Sequence, residues 1–503
     1  MDALRRGLSG GVRRGWRLAR PYIRPAERGC PERDTIFALS TRPGKAAIAI
    51  VRVLGRMLGP AAAARIRPRV ARVGRIADPR DPANVLDTGV SLWFPGPASY
   101  TGEDMAEFHV HGGAAVVASV LDALDALPGL RPAEPGEFSR RAFDSGKMDL
   151  TALEGVADLI NAETEAQRRL AVRQARGELH QRYDGWRREA IAAMAKIEAF
   201  IDFAEEEAIE DGVYEDARRQ AAALAADVAA HLDDRRQGEI MRSGVALSIV
   251  GPPNSGKSTL LNKLAQRQVA IVSPVAGTTR DIVETTLDIG GYPVVVRDTA
   301  GLRAGAADVV EAEGIRRALD AAREADIRIC MLDARRALRP EPQRPDPFLA
   351  NPEWRALLHL PHTFVVLNKA DTTTTAADNV ADDAAGEWAA AQGLCRSRAV
   401  LLSCVTMQGW DPLMRLVAAD IRRSWDSGDA DHMPLTKPRH RHHLRQCLAH
   451  LREFERAGDA HHHHPVLAAE ELRHAAAALG RITGRVDIED VLDVLFSQFC
   501  IGK

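Results

Sequence analysis

The sequence predicts an α/β domain that is inserted into a helical domain and preceded by an α+β domain. Three observations support this fold class. Residues 243–422 alternate short apolar runs with helical stretches, which is typical of a parallel sheet covered by helices. Residues 150–242 are rich in strong helix formers, and residues 423–503 are helical in character again. Residues 34–149 combine short apolar runs with Pro-Gly turns.

Each domain has its own pattern of predicted elements. The N-terminal domain contains candidate strands at 36–39, 47–51 and 90–94 and a candidate helix at 114–127. In the first helical segment, one apolar stripe at helical spacing indicates a bundle core, and its members are Ile191, Met194, Ile197 and Ile201. The α/β domain contains candidate strands at 246–250, 292–297, 327–332, 364–367 and 399–402.

The composition limits the class of protein. At roughly 100–200 residues per domain, 503 residues predict two to four domains. The formal net charge of −2 argues against a molecule that attracts nucleic acid over its whole surface. No apolar run approaches the roughly 20 residues that span a bilayer, so we expect no membrane partner. Six scattered cysteines without a CxxC pair favour a reducing compartment over a disulfide framework or a zinc site.

Residues 1–33 form a basic leader with nine arginines and three acidic residues. A transit peptide is rich in arginine and poor in acidic residues, but it is also rich in serine, which is nearly absent here. We expect a disordered leader that lies outside the fold, on a cytoplasmic protein. A mitochondrial location is the alternative that the leader suggests.

The start of the α/β domain has the sequence of a phosphate-binding loop. Residues 251–258 read G-x-x-x-x-G-K-S between a strand and a helix, which is the context that this motif requires. Its glycines let backbone N–H groups face phosphate oxygens, and the helix N-terminus adds partial positive charge. We expect Lys257 to reach the β- and γ-phosphates and Ser258 to ligate Mg²⁺. The nucleotide-binding residues predicted in this segment are Asn254, Ser255, Gly256, Lys257, Ser258 and Thr259.

Two further motifs follow in the order expected for a GTP-binding domain. The GTTRD at 277–281 occupies the position of a switch, in which Thr279 completes the Mg²⁺ sphere. In the DTAG at 298–301, Asp298 is placed to hold the Mg²⁺ shell, and Gly301 lets a backbone N–H approach the γ-phosphate. The predicted nucleotide contacts of the two segments are Ser273, Pro274, Val275, Ala276, Gly277, Thr278, Thr279, Asp298, Thr299, Ala300 and Gly301.

The NKAD at 368–371 predicts which base is bound. The carboxylate of Asp371 can accept two hydrogen bonds from guanine, and adenine cannot offer that pair. After the next strand, backbone N–H groups of a short loop close over the guanine O6. The contacts predicted for the base are Asn368, Lys369, Asp371, Ser403, Cys404 and Val405. Together the motifs indicate a protein that binds and hydrolyses GTP.

Hydrolysis needs groups that the usual motif does not supply here. The glutamine that often orients water after the DxxG glycine is replaced by Leu302. An additional positive charge could come from Arg280, from Arg303, or from a monovalent cation beside Asn254. The candidates for positioning the water are Asp308, Glu311 and Glu313.

Motifs in all three domains resemble those of the MnmE (TrmE) family of tRNA-modifying GTPases. They are the asparagine-containing phosphate loop, YTGED at 100–104, PGEF at 135–138, GTTRD at 277–281 and the terminal FCIGK at 499–503. The resemblance covers residues 34–503. It implies a heterotetramer with a flavoprotein of the MnmG (GidA) type. The pair adds a carboxymethylaminomethyl-type group to carbon 5 of the wobble uridine of certain tRNAs.

The resemblance also implies site residues for hydrolysis. It implies that GTP hydrolysis depends on potassium-driven dimerisation of the GTPase domains, with K⁺ held by Asn254, Ser273, Val275 and Thr278. Ser258 and Thr279 then hold Mg²⁺. Glu311 orients the attacking water, and Lys257 and Thr279 complete the catalytic set.

For the N-terminal domain, the resemblance implies a constitutive homodimer that binds a 5-formyl-tetrahydrofolate-type folate. By position, this site is lined by Arg52, Glu107, Lys147 and Lys503. The basic side chains suit the folate glutamate, and a carboxylate suits the N–H donors of the pterin. Cys500 matches a cysteine that the family needs for modification. Its spacing from the C-terminus also fits a prenylation signal, but a final lysine suits that signal poorly.

Two other classes of GTPase share part of this pattern. A GTP-gated ribosome assembly factor would carry the phosphate loop, GTTRD and NKAD, but not the folate-binding-like domain or FCIGK. A membrane-remodelling GTPase would need a membrane segment that this sequence lacks. The tetrad His461–His464 is expected to form an exposed loop, because no acidic or cysteine ligands accompany it in sequence.

Overall fold

In a computed structural model, the chain folds into two compact units: Met1–Ala157 with Thr483–Lys503, and Asp158–Ile482. The residues that the structure describes are 34–55, 67–203, 212–234, 236–267, 284–297, 316, 319–338, 347–373, 383–426, 433–456, 465–486 and 502. Among the helices in these ranges, none combines the length and the apolar character needed to cross a bilayer.

The first unit is built on one six-stranded sheet. Its elements are β1 (Thr35–Leu39), β2 (Ala46–Leu54), β3 (Arg72–Asp78), β4 (Asp81–Phe94), β5 (Met105–Gly112), α1 (Ala114–Asp125), β6 (Leu130–Pro132), α2 (Glu137–Asp144) and α3 (Leu150–Ile160). The strand order is β3-β4-β5-β2-β1-β6, and all neighbours are antiparallel except β1 and β6. The α+β class predicted for the N-terminal domain is confirmed.

The two faces of this sheet pack against different helices. Val51 on β2 and Val110 on β5 meet Val120 of α1 on one face. Ile36 on β1 packs with Phe138 of α2 on the other face. Because side chains alternate between the faces of a strand, a single sheet can build both clusters.

The second unit contains helices on both sides of an α/β segment in sequence. Before that segment come α4 (Glu165–Ala175), α5 (Glu178–Phe203), α6 (Gly212–Leu232) and α7 (Gln237–Ser243). The segment itself consists of β7 (Val245–Val250), α8 (Lys257–Arg267), β8 (Glu284–Ile289), β9 (Tyr292–Arg297), β10 (Ile327–Asp333), α9 (Ala334–Leu338), α10 (Pro347–Ala350), α11 (Pro352–Leu358), β11 (Thr363–Asn368), α12 (Ala384–Ala391), β12 (Ala399–Leu401) and α13 (Trp410–Trp425). After it come α14 (Pro438–Arg456) and α15 (Pro465–Thr483).

The α/β segment forms a sheet of order β12-β11-β10-β7-β9-β8. All neighbouring strands are parallel except the edge pair β8 and β9. Five of these strands lie where the sequence predicts them, and the parallel α/β class is confirmed. The sixth, β8, is not predicted, because its sequence Glu-Thr-Thr-Leu-Asp-Ile lacks a continuous apolar run.

Helices cover both faces of this parallel sheet. Ile329 of β10 faces a cluster that includes Leu264 of α8 and Leu413 of α13. The next residue along β10, Cys330, faces the opposite cluster with Trp388 of α12. Because β7, β9, β10, β11 and β12 are parallel, the loops that follow them lie at one edge of the sheet, where ligands bind in sheets of this class.

The helices before and after the α/β segment share one hydrophobic core. Leu179 and Ile197 of α5, Leu224 of α6, Leu451 of α14 and Leu472 of α15 are all buried in it. The other members of the predicted apolar stripe, Ile191, Met194 and Ile201, pack against the same cluster. The stripe is therefore core packing, and the α/β segment is inserted into a single helical bundle.

Arg441 of α14 forms buried ion pairs with the part of the bundle that precedes the α/β segment. Its guanidinium lies 2.5 Å from Asp234 Oδ1 and 2.7 Å from Glu239 Oε1, and it donates to Leu232 O at 2.9 Å. All three charged side chains are buried. Burial would raise the pKa of Glu239, but the hydrogen bonds from Arg441 and Arg236 outweigh this effect and lower it. The network therefore holds α14 against the segment between α6 and α7.

Replacing Arg441 with methionine should destabilise the bundle, because Asp234 and Glu239 would stay buried without this cation. Breaking a buried ion pair from one side costs about 3–5 kcal/mol. We expect hydrogen exchange in α6 and α14 to accelerate by roughly 100-fold to 4,000-fold, since each 1.4 kcal/mol is about tenfold. Mass spectrometry of the full chain measures this change, with β10 and β11 as the internal reference.

The matched control is Arg452→Met, because Arg452 lies on the same helix and is exposed. This control should exchange like the unmodified chain. Equal protection of α6 and α14 in the two variants would mean that the network contributes little to stability.

Candidate functional site

The phosphate loop lies between β7 and α8. At two of its glycines, the backbone of the loop comes very close to neighbouring atoms. At Gly256, φ is +105°, and a Cβ atom would lie 2.2 Å from Asn368 Nδ2. At Gly251, a Cβ atom would lie 2.1 Å from Met331 O at the neighbouring strand β10. Any larger residue would push the loop away from the strands beside it. Asn254, at the exposed tip, adopts a φ of +61°.

Lys257 is held over this loop by backbone carbonyls. Its Nζ donates to Gly251 O and to Pro252 O, each at 2.9 Å. Burial lowers the pKa of this lysine. An anion at the loop would favour the charged form of the ammonium group, so the residues fit a phosphate. Ser258, predicted to ligate Mg²⁺, is exposed on the first turn of α8, as is Thr259.

Ser255 adds a second sign that the loop is built for a ligand. Its hydroxyl is buried and has no hydrogen-bond partner among the residues that the structure describes. Buried polar groups are normally paired, and an unpaired one needs an explanation. A bound phosphate beside the loop would supply the missing acceptor.

Asn368 connects the phosphate loop to the base-reading segment. Its Nδ2 donates to Ser255 O at 2.8 Å, and its Oδ1 accepts from the Cys404 backbone N–H at 3.2 Å. Lys369, next in sequence, has a φ of +67° and forms an ion pair with Asp333 at 2.7 Å. The first residue of the NKAD motif is therefore a structural link between two loops.

Asp371 is exposed and its carboxylate is oriented by Ser403. The Ser403 hydroxyl donates to Asp371 Oδ1 at 2.5 Å. It also accepts from the backbone N–H groups of Val405 and Thr406 at 3.3 and 3.1 Å. Since those two donors occupy the lone pairs of the hydroxyl, its proton is directed at Asp371. This orientation is compatible with the prediction that Asp371 accepts hydrogen bonds from the two N–H donors of a guanine base.

Cys404 and Val405 have different roles in the loop after β12. Cys404 is buried, and burial together with the charge of Asp371 raises the pKa of its thiol to about 11. It is a packing residue, whose backbone N–H serves Asn368. The Val405 side chain is 77% exposed and leaves the backbone of the loop accessible.

Other predicted contacts of the nucleotide lie outside the described residues. β9 ends at Arg297, immediately before the DTAG motif in sequence. The structure describes Asn254, Ser255, Gly256, Lys257, Ser258, Thr259, Asn368, Lys369, Asp371, Ser403, Cys404 and Val405. The predicted residues outside the described ranges are Ser273, Pro274, Val275, Ala276, Gly277, Thr278, Thr279, Asp298, Thr299, Ala300, Gly301 and Glu311, and with them Cys500 and Lys503.

A second group of predicted residues lies on the sheet of the first unit. Arg52 on β2 and Glu107 on β5 are register partners, and their side chains form an ion pair at 2.8 Å. His109 Nε2 lies 3.3 Å from the same carboxylate. The Arg52 guanidinium carbon lies 5.9 Å from the centroid of the Tyr100 ring, within reach of a cation–π interaction. In the sequence, Tyr100 stands out only as part of the YTGED motif, and His109 is not singled out.

Lys147 lies beside the loop at 100–104, which also carries Tyr100. A Cβ atom at Gly102 would lie 3.3 Å from Lys147 Cε, and Lys147 itself is exposed. Lys503 is outside the described residues, but Gly502 accepts a hydrogen bond from Ser40 Oγ at 2.9 Å. A Cβ atom at Gly502 would lie 2.3 Å from Leu39 O, so only glycine fits there.

Most of the chain matches the profiles of one protein family. A family profile described as the MnmE helical domain matches residues 150–500, and one described as the GTP-binding protein TrmE N-terminus matches residues 35–147. The chain belongs to the MnmE (TrmE) family. The resemblance and the fold class predicted from the sequence are therefore confirmed, and the chain is a GTPase.

Named relatives extend over almost the whole chain. The tRNA modification GTPase MnmE of Parvibaculum lavamentivorans is 47% identical over 93% of this chain and 100% of its own length. Two relatives carry the name 5-taurinomethyluridine-[tRNA] synthase subunit GTPB3, mitochondrial. The one from Danio rerio is 45% identical over 94% of both chains, and the one from Homo sapiens is 42% identical over 97% of this chain and 99% of its own.

The PGEF segment of this MnmE-family chain has a structural role. Glu137 accepts hydrogen bonds from Arg131 at 2.8 Å and from Arg141 at 2.9 Å. Burial would raise the pKa of Glu137, but these hydrogen bonds and the Glu134 backbone N–H lower it. Arg141 is also 3.3 Å from Glu103 of the YTGED segment. The two motifs that carry the resemblance in this domain are therefore joined by one ion-pair network.

Replacing Asn368 with alanine should weaken GDP and GTP binding alike, because it removes both hydrogen bonds between the two loops. At about 1 kcal/mol for each bond, we expect affinity to fall by roughly 30-fold. Titration with a fluorescent guanine nucleotide measures the loss. Asn84→Ala, at an exposed asparagine of the first unit, is the control. Unchanged affinity in Asn368→Ala would refute the linking role of this amide.

Proposed function

We propose that this GTPase uses GTP hydrolysis to drive modification of the wobble uridine of tRNA. The final group is of the carboxymethylaminomethyl type at carbon 5, and a flavoprotein of the MnmG type is the partner, in a heterotetramer. The name of the bacterial relative supports tRNA as the substrate, and the name of the mitochondrial relatives supports a uridine of that tRNA. The observation that carries the nucleotide part is the link from the phosphate loop through Asn368 to the base-reading loop.

The residues of the chain divide the work of hydrolysis as follows. Lys257 holds the β- and γ-phosphates, and Asp371, oriented by Ser403, reads the guanine. Bound Mg²⁺ and K⁺ supply positive charge that offsets the charge developing on the phosphates. Ser258 and Thr279 would hold Mg²⁺, and Glu311 would orient water. The K⁺ ligands would be Asn254, Ser273, Val275 and Thr278.

We also propose that the first unit forms a homodimer and binds a 5-formyl-tetrahydrofolate-type folate. Arg52 and Glu107 form a charged pair beside Tyr100, which suits a ligand that has both a carboxylate and a ring. Lys147 and Lys503 would add positive charge, and Cys500 would serve the modification. The same unit exposes apolar side chains on or next to its strands, and such a surface supports dimerisation. These residues are Ile48, Val70, Val73 and Val85. Mass spectrometry of folate released from the purified chain tests the ligand.

The proposed location is the cytoplasm, with the mitochondrion as the alternative. The mitochondrial relatives named GTPB3 and the basic leader at 1–33 support the alternative. Fractionation of cells from the source organism distinguishes the two, because only a mitochondrial protein would co-purify with the organelle.

GTP turnover should be faster in potassium chloride than in sodium chloride at matched ionic strength. We expect at least a tenfold difference that grows with protein concentration, because the cation would act at an interface between two GTPase domains. A steady-state phosphate assay measures it. Glu311→Gln should reduce turnover without weakening GTP binding. Equal turnover in the two salts would remove potassium from the mechanism and favour the assembly-factor alternative.

Asp371→Asn should change the preference of the site from GTP toward xanthosine triphosphate. The amide offers an N–H donor that pairs with the extra oxygen of xanthine, whereas the carboxylate pairs with the amino group of guanine. Competition between the two nucleotides for the purified variant measures the ratio of affinities. Asp383→Asn, at an exposed aspartate of the same unit, is the control. A variant that still prefers GTP would contradict the assignment of Asp371.

A further inference from the structure

Two histidines and a glutamate from neighbouring helices meet at the surface of the helical bundle. One ligand atom each from His450 of α14 and from Glu471 and His474 of α15 lie within 4.8 Å of one another. His450 Nδ1 is 2.8 Å from Glu471 Oε2, and the two imidazole rings are 5.0 Å apart between centroids. We propose that these three side chains bind a divalent transition-metal ion of the zinc class.

The chemistry of the donor set favours this class of ion. Imidazole nitrogen and carboxylate oxygen are common zinc ligands, each at about 2 Å from the metal. Ligand atoms around a tetrahedral ion are then about 3.3 Å apart, so a shift of about 1.5 Å closes the set. Three protein ligands leave a fourth position open for water or another donor. Hard cations such as Mg²⁺ prefer oxygen ligands, and two histidines disfavour them.

The backbone that carries these ligands is fixed by the core of the bundle. Glu471 and His474 are three residues apart on α15, so they share one face of that helix. Leu472 of α15 and Leu451 of α14, beside the ligands in sequence, are fully buried in the same cluster. The ligand side chains remain accessible, with exposed fractions of 36% for His450, 25% for Glu471 and 49% for His474. An ion can therefore enter from solvent onto a rigid scaffold.

The surrounding charges also suit a cation. Glu470 Oε1 lies 3.2 Å from His474 Nε2, so a second carboxylate lies beside the site. Arg473, the nearest cation in sequence, forms ion pairs with Glu470 and with Glu198. Its charge is directed at these two carboxylates. A carboxylate beside a ligating histidine is a common arrangement in metal sites, where it orients the ring.

A bound ion would connect α14 to α15 directly. Because the ion would bind the folded helix pair and not the separated helices, it would stabilise their packing by mass action. The second part of the bundle would then respond to the metal independently of the nucleotide. This role does not depend on the proposed tRNA chemistry.

The test begins from a variant of the full chain in which His461–His464 are replaced by asparagine, so that this tetrad cannot bind metal. We expect one equivalent of Zn²⁺ per chain in competition with a chromogenic chelator. His450→Gln and His474→Gln should each weaken binding by at least tenfold. His442→Gln, at an exposed histidine of the same helix as His450, is the matched control and should bind normally.

Two further measurements separate a built site from adventitious metal. Co²⁺ bound in place of zinc should give the visible spectrum of a tetrahedral site in the parent and lose it in His474→Gln. Zinc should slow hydrogen exchange in α14 and α15 of the parent and not of His450→Gln. Zinc binding that is equal in all variants, or no binding in the parent, would overturn the proposal.

Discussion

One buried amide group determines the geometry of the nucleotide site. The side chain of Asn368 is 3% exposed, and it bonds to the loop after β7 and to the loop after β12. These two strands are not neighbours, because β10 and β11 lie between them in the sheet. An aspartate at this position would lose the donor, and a leucine would lose both bonds. Gly256 is required for the same reason, since any Cβ atom there would displace the amide.

The same geometry explains how the base is read without a rigid pocket. Asp371 is exposed, so its position depends on what holds it. Ser403 is fully buried, and its single proton is committed to Asp371 because two backbone N–H groups occupy its acceptor sites. Preorganisation of this kind would strengthen selectivity, because a base with the wrong donors would cover this carboxylate without replacing its hydrogen bonds to water. In the proposed function, the base would be selected by this carboxylate, whose orientation is set by the buried Ser403 hydroxyl.

Apolar runs and short motifs made much of the fold and of the nucleotide site predictable. The features that could not be predicted depend on contacts between residues far apart in the sequence. The strands that carry the phosphate loop and NKAD are apolar runs, so their positions follow from sequence. The partners of Asn368 lie 113 and 36 residues away, and only the folded sheet brings them together. In β8 and β5, polar residues interrupt the apolar run, so the pattern of apolar runs did not predict these two strands. In the cluster of His450, Glu471 and His474, the last two residues are close in sequence, but His450 lies 21 residues before Glu471 and reaches them only because α14 packs against α15.

The points where the chain enters and leaves the inserted domain converge on one carboxylate. Asp158 Oδ1 accepts from Arg242 Nε, just before β7, and from Lys437 Nζ, just before α14, each at 2.9 Å. Because Arg242 precedes the inserted segment and Lys437 follows it, these two ion pairs hold the entry and exit connections beside one another. A cavity of about 210 Å³ beside the carboxylate, lined in part by Gln167 and Thr436, gives these side chains room to change rotamer. The two connections therefore share one anchor, so replacing Asp158 would remove one ion pair from each of them.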